Sequence, residues 1–382
     1  MKPTKPTILF VHPDLRGGGA EKVLVNLLNT MDTSKYDITL LTYFEEGVNR
    51  KNLNPDIKQE FIFKKVFRGW SVVQKLFTPK QLYQLFIKKE YNVVIAYLEG
   101  VPTRMVSGCP FKNTKLISWL HIDLKNFGIE KVFRSKNEME KCYLRLDEVV
   151  AVSKRSLASL FEEVEFPKEK GRVIHNVVDT REIIKKSKEP VTDIVFDEHT
   201  INLCSVGRLN RQKGYQRLIE VMSELTKTYK NIHLYIIGKG ELQQELEMLI
   251  KHHKMENHVS LLGFQSNPLK YVRNADLFVC SSFEEGYSTA VTESIILGTP
   301  VLTTACAGMD ELLDNGEVGM IVENSKKGLL NGFEAILKNE ELLKSYKEKT
   351  LAKSSKIVHN NNGLLVEALI EEQLHQLETS YA

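Results

Sequence analysis

Two carboxylates, Glu285 and Glu293, lie eight positions apart in the segment with the most specific chemistry of this sequence. The apolar run Leu277–Cys280 predicts a buried strand, and the residues after it predict a loop and then a helix. Ser288 and Thr289 are candidate N-cap residues, so free backbone N–H groups at this helix start should attract phosphate. Carboxylates repel phosphate but accept hydrogen bonds from sugar hydroxyls. The segment therefore predicts a nucleotide-sugar site.

Two cations follow the strand that we predict at 201–206. Arg208 and Lys213 stand five positions apart in the loop after Gly207. A forked guanidinium and a point-charge ammonium at the carboxyl end of a strand suit a diphosphate. A solvated basic loop is the alternative, but the presence of Glu285 in the same half of the chain favours phosphate binding.

Two other residues of the second half follow predicted strands. Gly240 comes after the strand at 233–237, where a glycine allows close backbone approach to a ligand. Phe264 comes after the strand at 259–262 and could meet a nucleobase, although a core phenylalanine is an equally good interpretation.

In the first half, three consecutive glycines and one histidine are candidates. Gly17, Gly18 and Gly19 precede a predicted helix and match neither a dinucleotide fingerprint nor a P-loop, so a flexible tight turn is the competing interpretation. His121 ends a predicted strand, where it could contact a donor phosphate or sugar hydroxyl, or hold a neighbouring carbonyl. His12 also lies near a strand end, and a structural role is favoured for it.

Apolar runs alternate with helical stretches along the whole chain, which is typical of parallel sheets covered by helices. We predict an α/β fold of two Rossmann-like, doubly wound domains, at residues 1–182 and 183–362. The polar segment 181–200 is predicted to be a linker, and an amphipathic helix is predicted within 363–382. The predicted strands fall at 8–11, 38–42, 93–97, 116–119, 149–152, near 173, and at 201–206, 233–237, 259–262, 277–280 and 301–303.

Composition excludes several classes of protein. The chain has 382 residues, a net charge of +3 and five scattered cysteines, which argue against a nucleic-acid partner, a disulfide framework and a zinc site. No two aspartates stand two positions apart, so the metal-binding pattern of many sugar transferases is missing, and we expect no metal or cofactor. We find no apolar run long enough for a signal peptide or a membrane span and expect a cytoplasmic protein.

The segment 61–89 has a different character from the rest of the chain. It contains seven basic residues, seven aromatic residues and no acidic residue. Such a segment suits an anionic membrane surface, which would place the protein peripherally on the inner face of the cell membrane. A solvated helix whose aromatics belong to the core is the alternative. The basic residues are Lys64, Lys65, Arg68, Lys75, Lys80, Lys88 and Lys89.

Taken together, the motifs resemble those of the retaining glycosyltransferases of family 4, of bacterial surface-polysaccharide type. The resemblance covers nearly the whole chain through Gly17–Glu21, Gly207–Gly214, Glu285–Glu293 and Leu297–Pro300, and the Glu-x7-Glu motif is its most specific part. It implies the GT-B fold, in which two Rossmann-like domains face each other across a cleft. It also implies that the first domain binds the acceptor and that the C-terminal helix returns to it.

The resemblance also implies roles for single residues. Arg208 and Lys213 would hold the donor diphosphate, which Gly18 or Gly19 would approach from the other domain. Glu293 would bind the ribose, while Glu285 and His121 would contact the donor sugar. The catalytic candidates are Glu285, His121, Arg208 and Lys213, and the further donor-binding candidates are Gly18, Gly19, Gly240, Phe264, Gly286, Tyr287, Ser288, Thr289 and Glu293. At Tyr287-Ser288 many relatives have Phe-Gly, so the donor sugar is not carried over.

The expected activity is transfer of a hexose or N-acetylhexosamine, with retention and without a metal, from a UDP-linked donor to a glycan acceptor. A lipid-linked or membrane-proximal acceptor in cell-surface polysaccharide synthesis is favoured. The alternatives are a soluble acceptor and a non-catalytic sugar-nucleotide-binding subunit of an active transferase.

Overall fold

The chain forms two compact units in the computed structural model, which describes residues 5–67, 69–358 and 362–379. Unit 1 comprises the residues up to Val178 together with the C-terminal helix, and unit 2 begins at Asp179 and is described up to residue 358. Each unit contains one parallel sheet covered by helices.

Unit 1 is built on a seven-stranded parallel sheet in the order β3-β2-β1-β4-β5-β6-β7. Its central strands are buried on both faces, and the four residues of Val93–Ala96 have no exposed surface. The strands are β1 Thr7–His12, β2 Asp37–Phe44, β3 Lys58–Phe63, β4 Val93–Ala96, β5 Lys115–Leu120, β6 Glu148–Ala151 and β7 Gly171–Val173. The helices before unit 2 are α1 Gly19–Thr30, α2 Trp70–Val73, α3 Pro79–Phe86, α4 Val101–Val106, α5 Lys136–Leu144 and α6 Lys154–Glu163.

Unit 2 has a six-stranded parallel sheet in the order β10-β9-β8-β11-β12-β13. Its strands are β8 Ile201–Val206, β9 Ile232–Ile237, β10 Val259–Gly263, β11 Leu277–Cys280, β12 Val301–Thr304 and β13 Gly319–Val322. Its helices are α7 Thr180–Ser187, α8 Tyr215–Leu225, α9 Gln243–His252, α10 Leu269–Asn274, α11 Thr289–Ile296, α12 Met309–Leu312, α13 Lys326–Leu337 and α14 Glu340–Val358, and α15 Asn362–Thr379 follows in unit 1.

The predicted α/β fold class is confirmed, and every predicted strand is present. Two strands were missed: β3 and β13, which are the outermost strands on one side of each sheet. All but one of their residues are only half-buried or exposed. Edge strands need only a weak apolar pattern, which explains the omission.

The predicted linker at 181–200 was wrong in its first part, because α7 occupies Thr180–Ser187. The Asp179 side chain caps this helix by accepting a hydrogen bond from the backbone N–H of Glu182 at 2.8 Å, and Ile183 is buried. A capping aspartate and one apolar anchor are enough to order a segment that otherwise looks polar.

The helix α15 packs against the sheet of unit 1 through its apolar side, where Leu369 and Ile370 are fully buried. Polar contacts fix its register, since Gln373 Nε2 donates to Glu148 Oε2 at 2.8 Å and Arg172 pairs with Glu372 at 2.8 Å. The helix α15 therefore completes unit 1.

The basic aromatic segment 61–89 is divided among several elements and is not one helix. It includes the end of β3, α2 and α3. Trp70 is buried, and Phe63, Phe77 and Phe86 pack against the core of unit 1. Among the described residues, no helix is both long and apolar enough to cross a bilayer.

In both sheets the order of strand addition reverses next to the first strand of the unit. In unit 1 the chain adds β2 and β3 on one side of β1 and then crosses to β4 on the other side, and in unit 2 the same happens between β8 and β11. The register of the second pair is set by Leu203 opposite Leu277 and Cys204 opposite Phe278. Open α/β sheets bind ligands at the carboxyl ends of the strands beside such a switch point.

Gly214 allows the loops after β8 and β11 to pass each other closely. It has φ of +65°, and a Cβ atom there would lie against the carbonyl oxygen of Ser281. Positive φ and the lack of space both require glycine at this position.

We predict that Gly214→Ala lowers the free energy of unfolding of unit 2 by about 1–3 kcal/mol more than Gly316→Ala. Gly316 also has positive φ, at +96°, but its Cβ would meet nothing within 4 Å. The comparison therefore separates the packing conflict from backbone strain. Differential scanning calorimetry of both variants measures this, and equal destabilisation would contradict the account.

Candidate active site

The centre of the site in unit 2 is an ion pair across the switch point. Lys213 Nζ lies 2.6 Å from Glu285 Oε1, and the Ser282 hydroxyl donates to the same oxygen at 2.6 Å. The two charged side chains are 21% and 9% exposed. Burial is the largest single effect on the pKa of Lys213 and lowers it, but the charge and hydrogen bond of Glu285, together with the nearby Cys280 and Tyr215, outweigh burial and raise that pKa, so the ammonium stays charged.

The loop that carries Glu285 is held by its backbone carbonyls. The guanidinium of Arg217 donates to the carbonyl oxygen of Ser281 at 2.6 Å and of Ser282 at 3.0 Å, and it lies over the Phe283 ring. The Thr304 hydroxyl donates to the Ser282 carbonyl at 2.6 Å. A loop with these fixed carbonyls presents the Glu285 carboxylate in one orientation.

The same loop is tied to the residues around Lys213. The Phe283 N–H donates to the Gln212 carbonyl at 2.7 Å, and the Ser281 hydroxyl donates to the Lys213 carbonyl at 2.8 Å. Lys213 ends a short 3-10 turn, Arg211–Lys213, which Asn210 caps. The two loops therefore form one rigid polar surface at the carboxyl ends of β8 and β11.

Arg208 differs from Lys213 in its environment. Its guanidinium is exposed and makes no hydrogen bond or ion pair with any residue that the structure describes. The sequence predicted that the two cations bind a diphosphate together; in the structure Lys213 is paired with Glu285, whereas Arg208 is exposed to solvent.

The start of α11 lies next to this surface. Ser288 is the N-cap, as predicted, and its hydroxyl accepts from the Val291 N–H at 3.5 Å. Ser205, Lys213, Tyr215, Ser282, Glu285 and Ser288 are among the residues that line a small cavity here. The helix start, the serine hydroxyls and the ion pair thus share one polar recess.

The other candidates around α11 are partly enclosed. Gly286 is buried, Tyr287 is half-buried, and burial raises the pKa of the Tyr287 hydroxyl. Thr289 is the first residue of the helix and Glu293 is 8% exposed.

Gly240 and Phe264 have contrasting surroundings. A Cβ atom at Gly240 would lie against the backbone of Leu209, which gives this glycine a packing reason of its own. The Phe264 ring is 61% exposed, so it is not a core residue and is open to a planar ligand. Their roles in donor binding stay predictions.

In unit 1, the glycine turn forms the start of α1. Gly18 is the N-cap residue, Gly19 is the first helical residue, and no side chain caps the helix with a hydrogen bond. Because Gly18 has no side chain, this twelve-residue helix begins without a hydrogen bond from an N-cap side chain.

His121 lies in a polar cluster at the switch point of unit 1. Its ring centroid is 5.1 Å from that of Tyr97, and Tyr97 is 6.4 Å from His12. Glu99, which is 7% exposed, accepts a hydrogen bond from the His121 backbone N–H at 2.8 Å. Asp123 pairs with Arg155 at 2.8 Å, so its carboxylate is engaged away from His121.

Burial changes the protonation of both histidines. It lowers the pKa of His12 to about 4, and together with the charge of His12 it lowers the pKa of His121 to about 3. Both imidazoles are therefore neutral near pH 7 and carry no positive charge to offer to a phosphate.

Sequence reasoning missed Ser282, Arg217 and Glu99. Arg217 interrupts the apolar face of α8, and Glu99 follows an entirely apolar strand, so both were visible as polar residues in apolar surroundings. Ser282 had no such signal, because its role depends on the fold of its loop.

No group of acidic, histidine and cysteine side chains suited to a metal ion occurs in the part of the chain that the structure describes.

We predict that His12→Gln makes the stability of unit 1 less sensitive to acid. The unfolded chain protonates this histidine near pH 6.5, whereas the folded chain does so only near pH 4. The contribution of neutral His12 to the free energy of unfolding is therefore complete above pH 6.5. It is lost as the pH falls toward 4, by up to about 1.4 kcal/mol per pH unit.

Urea unfolding followed by tryptophan fluorescence measures this change, because both tryptophans, Trp70 and Trp119, belong to unit 1. The exposed His375, on α15, provides the matched control as His375→Gln. An unchanged pH slope in His12→Gln would show that folding does not lower the pKa of His12 and would contradict the prediction.

Comparison with known proteins agrees with this geometry. The family model described as Glycosyltransferase Family 4 matches residues 17–182, and that described as Glycosyl transferases group 1 matches residues 187–353. The two matched ranges are adjacent in the sequence, and they correspond approximately to the two units.

Relatives and a solved structure extend the match. The chain is 32% identical over 209 residues, 54% of its length and 55% of the relative's, to the N-acetylgalactosamine-N,N'-diacetylbacillosaminyl-diphospho-undecaprenol 4-alpha-N-acetylgalactosaminyltransferase of Campylobacter jejuni, and thus spans about half of that protein. It is 24% identical to an uncharacterized glycosyltransferase of Haemophilus influenzae, over 93% of the chain and 95% of the relative.

The crystal structure of Anabaena HepE in complex with UDP-glucose has a TM-score of 0.73 and 17% sequence identity, with 97% of this chain and 99% of that chain covered. At this identity the likeness shows the fold, which is GT-B. The chain belongs to the family 4 glycosyltransferases.

Proposed function

We propose that the protein transfers a hexose or N-acetylhexosamine from a UDP-sugar to a glycan acceptor with retention of the anomeric configuration. The observation that carries this proposal is the Lys213–Glu285 ion pair, 2.6 Å long, beside the capped start of α11. It combines a cation and N–H groups for phosphate with a carboxylate for sugar hydroxyls. The UDP-glucose complex of HepE, which has the same fold, supports the choice of a UDP-linked donor.

The diphosphate of the donor would be held by Arg208, Lys213 and the N–H groups at the start of α11. Arg208 is exposed and brings an unneutralised charge, whereas Lys213 brings one that Glu285 orients. Negative charge grows on the diphosphate as the sugar leaves, so these groups stabilise the transition state more than the ground state. We therefore propose that no metal is needed.

Glu285 is proposed to bind the donor sugar and to orient it. Because one of its oxygens already accepts from Lys213 and Ser282, the carboxylate is a weak nucleophile. This favours attack by the acceptor on the same face as the leaving group. The bond from C1 to the diphosphate oxygen breaks, the acceptor oxygen bonds to C1, and the acceptor proton passes to the departing diphosphate.

Family resemblance assigns further donor contacts to Glu293, His121, Gly18 and Gly19, whereas the positions of Gly240 and Phe264 after β9 and β10 suggest two more. Glu293 would bind the ribose hydroxyls, and the exposed Phe264 ring and the backbone at Gly240 would meet the uridine. In unit 1, His121 would contact the donor sugar and the N–H groups at Gly18 and Gly19 would approach the donor. The neutral state of His121 suits a hydroxyl partner.

We propose a lipid-linked acceptor in cell-surface polysaccharide synthesis, reached from the cytoplasmic face of the membrane. The name of the Campylobacter relative includes a diphospho-undecaprenol acceptor, which supports this choice. The acceptor would be bound by unit 1.

A surface of unit 1 supports membrane proximity. Val72, Val73 and Leu76 on α2 and the following turn are exposed, at 65%, 40% and 78%. Lys64 and Lys65 are exposed nearby in sequence, while Arg68 lies outside the described residues. Exposed apolar side chains among cations suit an anionic bilayer.

A buried cation, Arg104, fixes the core-facing side of this surface. Arg104 is fully buried and donates to the carbonyls of Gln74 at 3.0 Å and Phe77 at 2.7 Å, and it pairs with Glu138 at 2.8 Å. The turn after α2 is therefore fixed on its inner side, and its apolar side chains point away from the core.

We predict that the wild type releases UDP from at least one UDP-sugar when membrane lipid extract supplies the acceptor, and that Glu285→Gln lowers kcat by about 10²–10³-fold. The loss is expected because the carboxylate orients both the sugar and Lys213. The neighbouring Glu284 is exposed, so Glu284→Gln is the matched control and should keep its activity. Activity should persist in EDTA.

The same assay separates the competing functions. Turnover with water-soluble acceptors alone would favour a soluble acceptor. Binding of UDP without turnover of any donor, with and without the extract, would mean a non-catalytic sugar-nucleotide-binding subunit and would refute the enzyme proposal.

We predict that the protein co-sediments with vesicles containing phosphatidylglycerol, and that Lys64→Gln combined with Lys65→Gln weakens binding about tenfold or more, since each cation contributes roughly 1 kcal/mol. Lys168 and Lys170 are exposed beside β7, at the opposite edge of the sheet from β3, so their double substitution is the control. Equal binding by both double variants would sink the membrane assignment.

A further inference from the structure

Glu99 is a buried carboxyl at the switch point of unit 1 that the proposed reaction does not yet use. It lies three residues after the end of β4, and only 7% of its surface is exposed. One of its oxygens, Oε2, accepts a hydrogen bond from the backbone N–H of His121 at 2.8 Å. A carboxyl this deeply buried is unusual without a charged partner.

The tautomer of the neighbouring His12 follows from its contacts. His12 Nδ1 lies 2.7 Å from the carbonyl oxygen of Asp14, and because a carbonyl only accepts, this nitrogen carries the proton. Since burial keeps the ring neutral, Nε2 is an acceptor, and it is buried without a partner. His121 Nε2 is also buried without a partner.

Titratable groups lie around Glu99, but no neighbouring charge contributes to the shift of its pKa. Besides the two histidines, Tyr143 on α5 is near enough for its pKa to respond to Glu99, and its hydroxyl is buried without a partner. On α4, Arg104 forms an ion pair with Glu138 and not with Glu99. Asp14, on the far side of His12, pairs with Arg16 at 2.8 Å.

We propose that Glu99 is a positioning residue of the transferase: its carboxylate holds the backbone of His121, and so sets where the His121 imidazole meets a hydroxyl of the donor sugar. The contact between Glu99 and His121 stands on the structure alone, whereas its effect on the donor rests on the proposed function.

The protonation of Glu99 makes this contact sensitive to pH. Burial raises the pKa of Glu99 to about 7, although the N–H groups of His121 and of Glu99 itself lower it in part. A carboxylate accepts a stronger hydrogen bond than a carboxylic acid does. His121 is therefore held more firmly above pH 7 than below it.

The contact can be tested without any activity by labelling the histidines with ¹⁵N and following the amide signal of His121 between pH 5.5 and 8.5. The loss of one signal in His121→Gln assigns it. We expect the signal to shift with a midpoint near pH 7 in the wild type and to stay constant in Glu99→Gln. A wild-type signal that does not move, or one that moves equally in the variant, would overturn the proposal.

The functional part has its own readout in ligand affinity measured by calorimetry at pH 8. UDP lacks the sugar, so we expect Glu99→Gln to bind UDP like the wild type but to bind the UDP-sugar about tenfold more weakly. Its kcat/KM should also lose the rise through pH 7, while the exposed Glu169, changed to Gln, serves as the control.

The two proposals fail in distinguishable ways. If no UDP-sugar is turned over or bound, the proposed function fails, while the amide titration still decides whether Glu99 holds His121. If transfer is observed but Glu99→Gln keeps the affinity for the UDP-sugar and the pH profile of the wild type, the positioning role of Glu99 is refuted.

Discussion

The ion pair between Lys213 and Glu285 is the interaction on which the site in unit 2 depends. It joins the loops after two adjacent strands, β8 and β11. It also keeps a cation and a carboxylate together at the switch point, where the order of strand addition reverses. Burying the two charges costs desolvation free energy. The hydrogen bonds of Arg217 to the loop carbonyls and of the Ser282 hydroxyl to Glu285 help to offset this cost, because they fix the position of the Glu285 carboxylate.

Each unit uses its switch point in a different chemical way. Unit 2 places charges there, which suit a diphosphate and the sugar attached to it. Unit 1 places neutral imidazoles and a buried carboxyl there, in His12, His121 and Glu99, which suit hydroxyl groups. One sheet topology thus supports two kinds of recognition, since the strands only set positions and the loop residues set the chemistry.

The sequence predicted the fold well because buried parallel strands are continuous apolar runs, as in β4 and β11. It failed where that signal is weak, in the half-buried edge strands and in α7, which one capping aspartate orders. The candidate residues were visible as charges after strands, but their pairing was not. Lys213 pairs with Glu285, and Arg208 does not, because Gly214 allows the two loops to pass each other closely. The spacing of these residues along the chain does not reveal that arrangement.

The central claim is that Lys213 and Glu285 act as one unit in transfer from a UDP-sugar. A double-mutant cycle on kcat/KM, with Lys213→Met, Glu285→Gln and the double variant, tests it most directly. The account predicts that each single substitution lowers kcat/KM by about 100-fold or more and that the double variant is little worse than the more severe single one. Losses that multiply, or single variants with wild-type turnover, would contradict it.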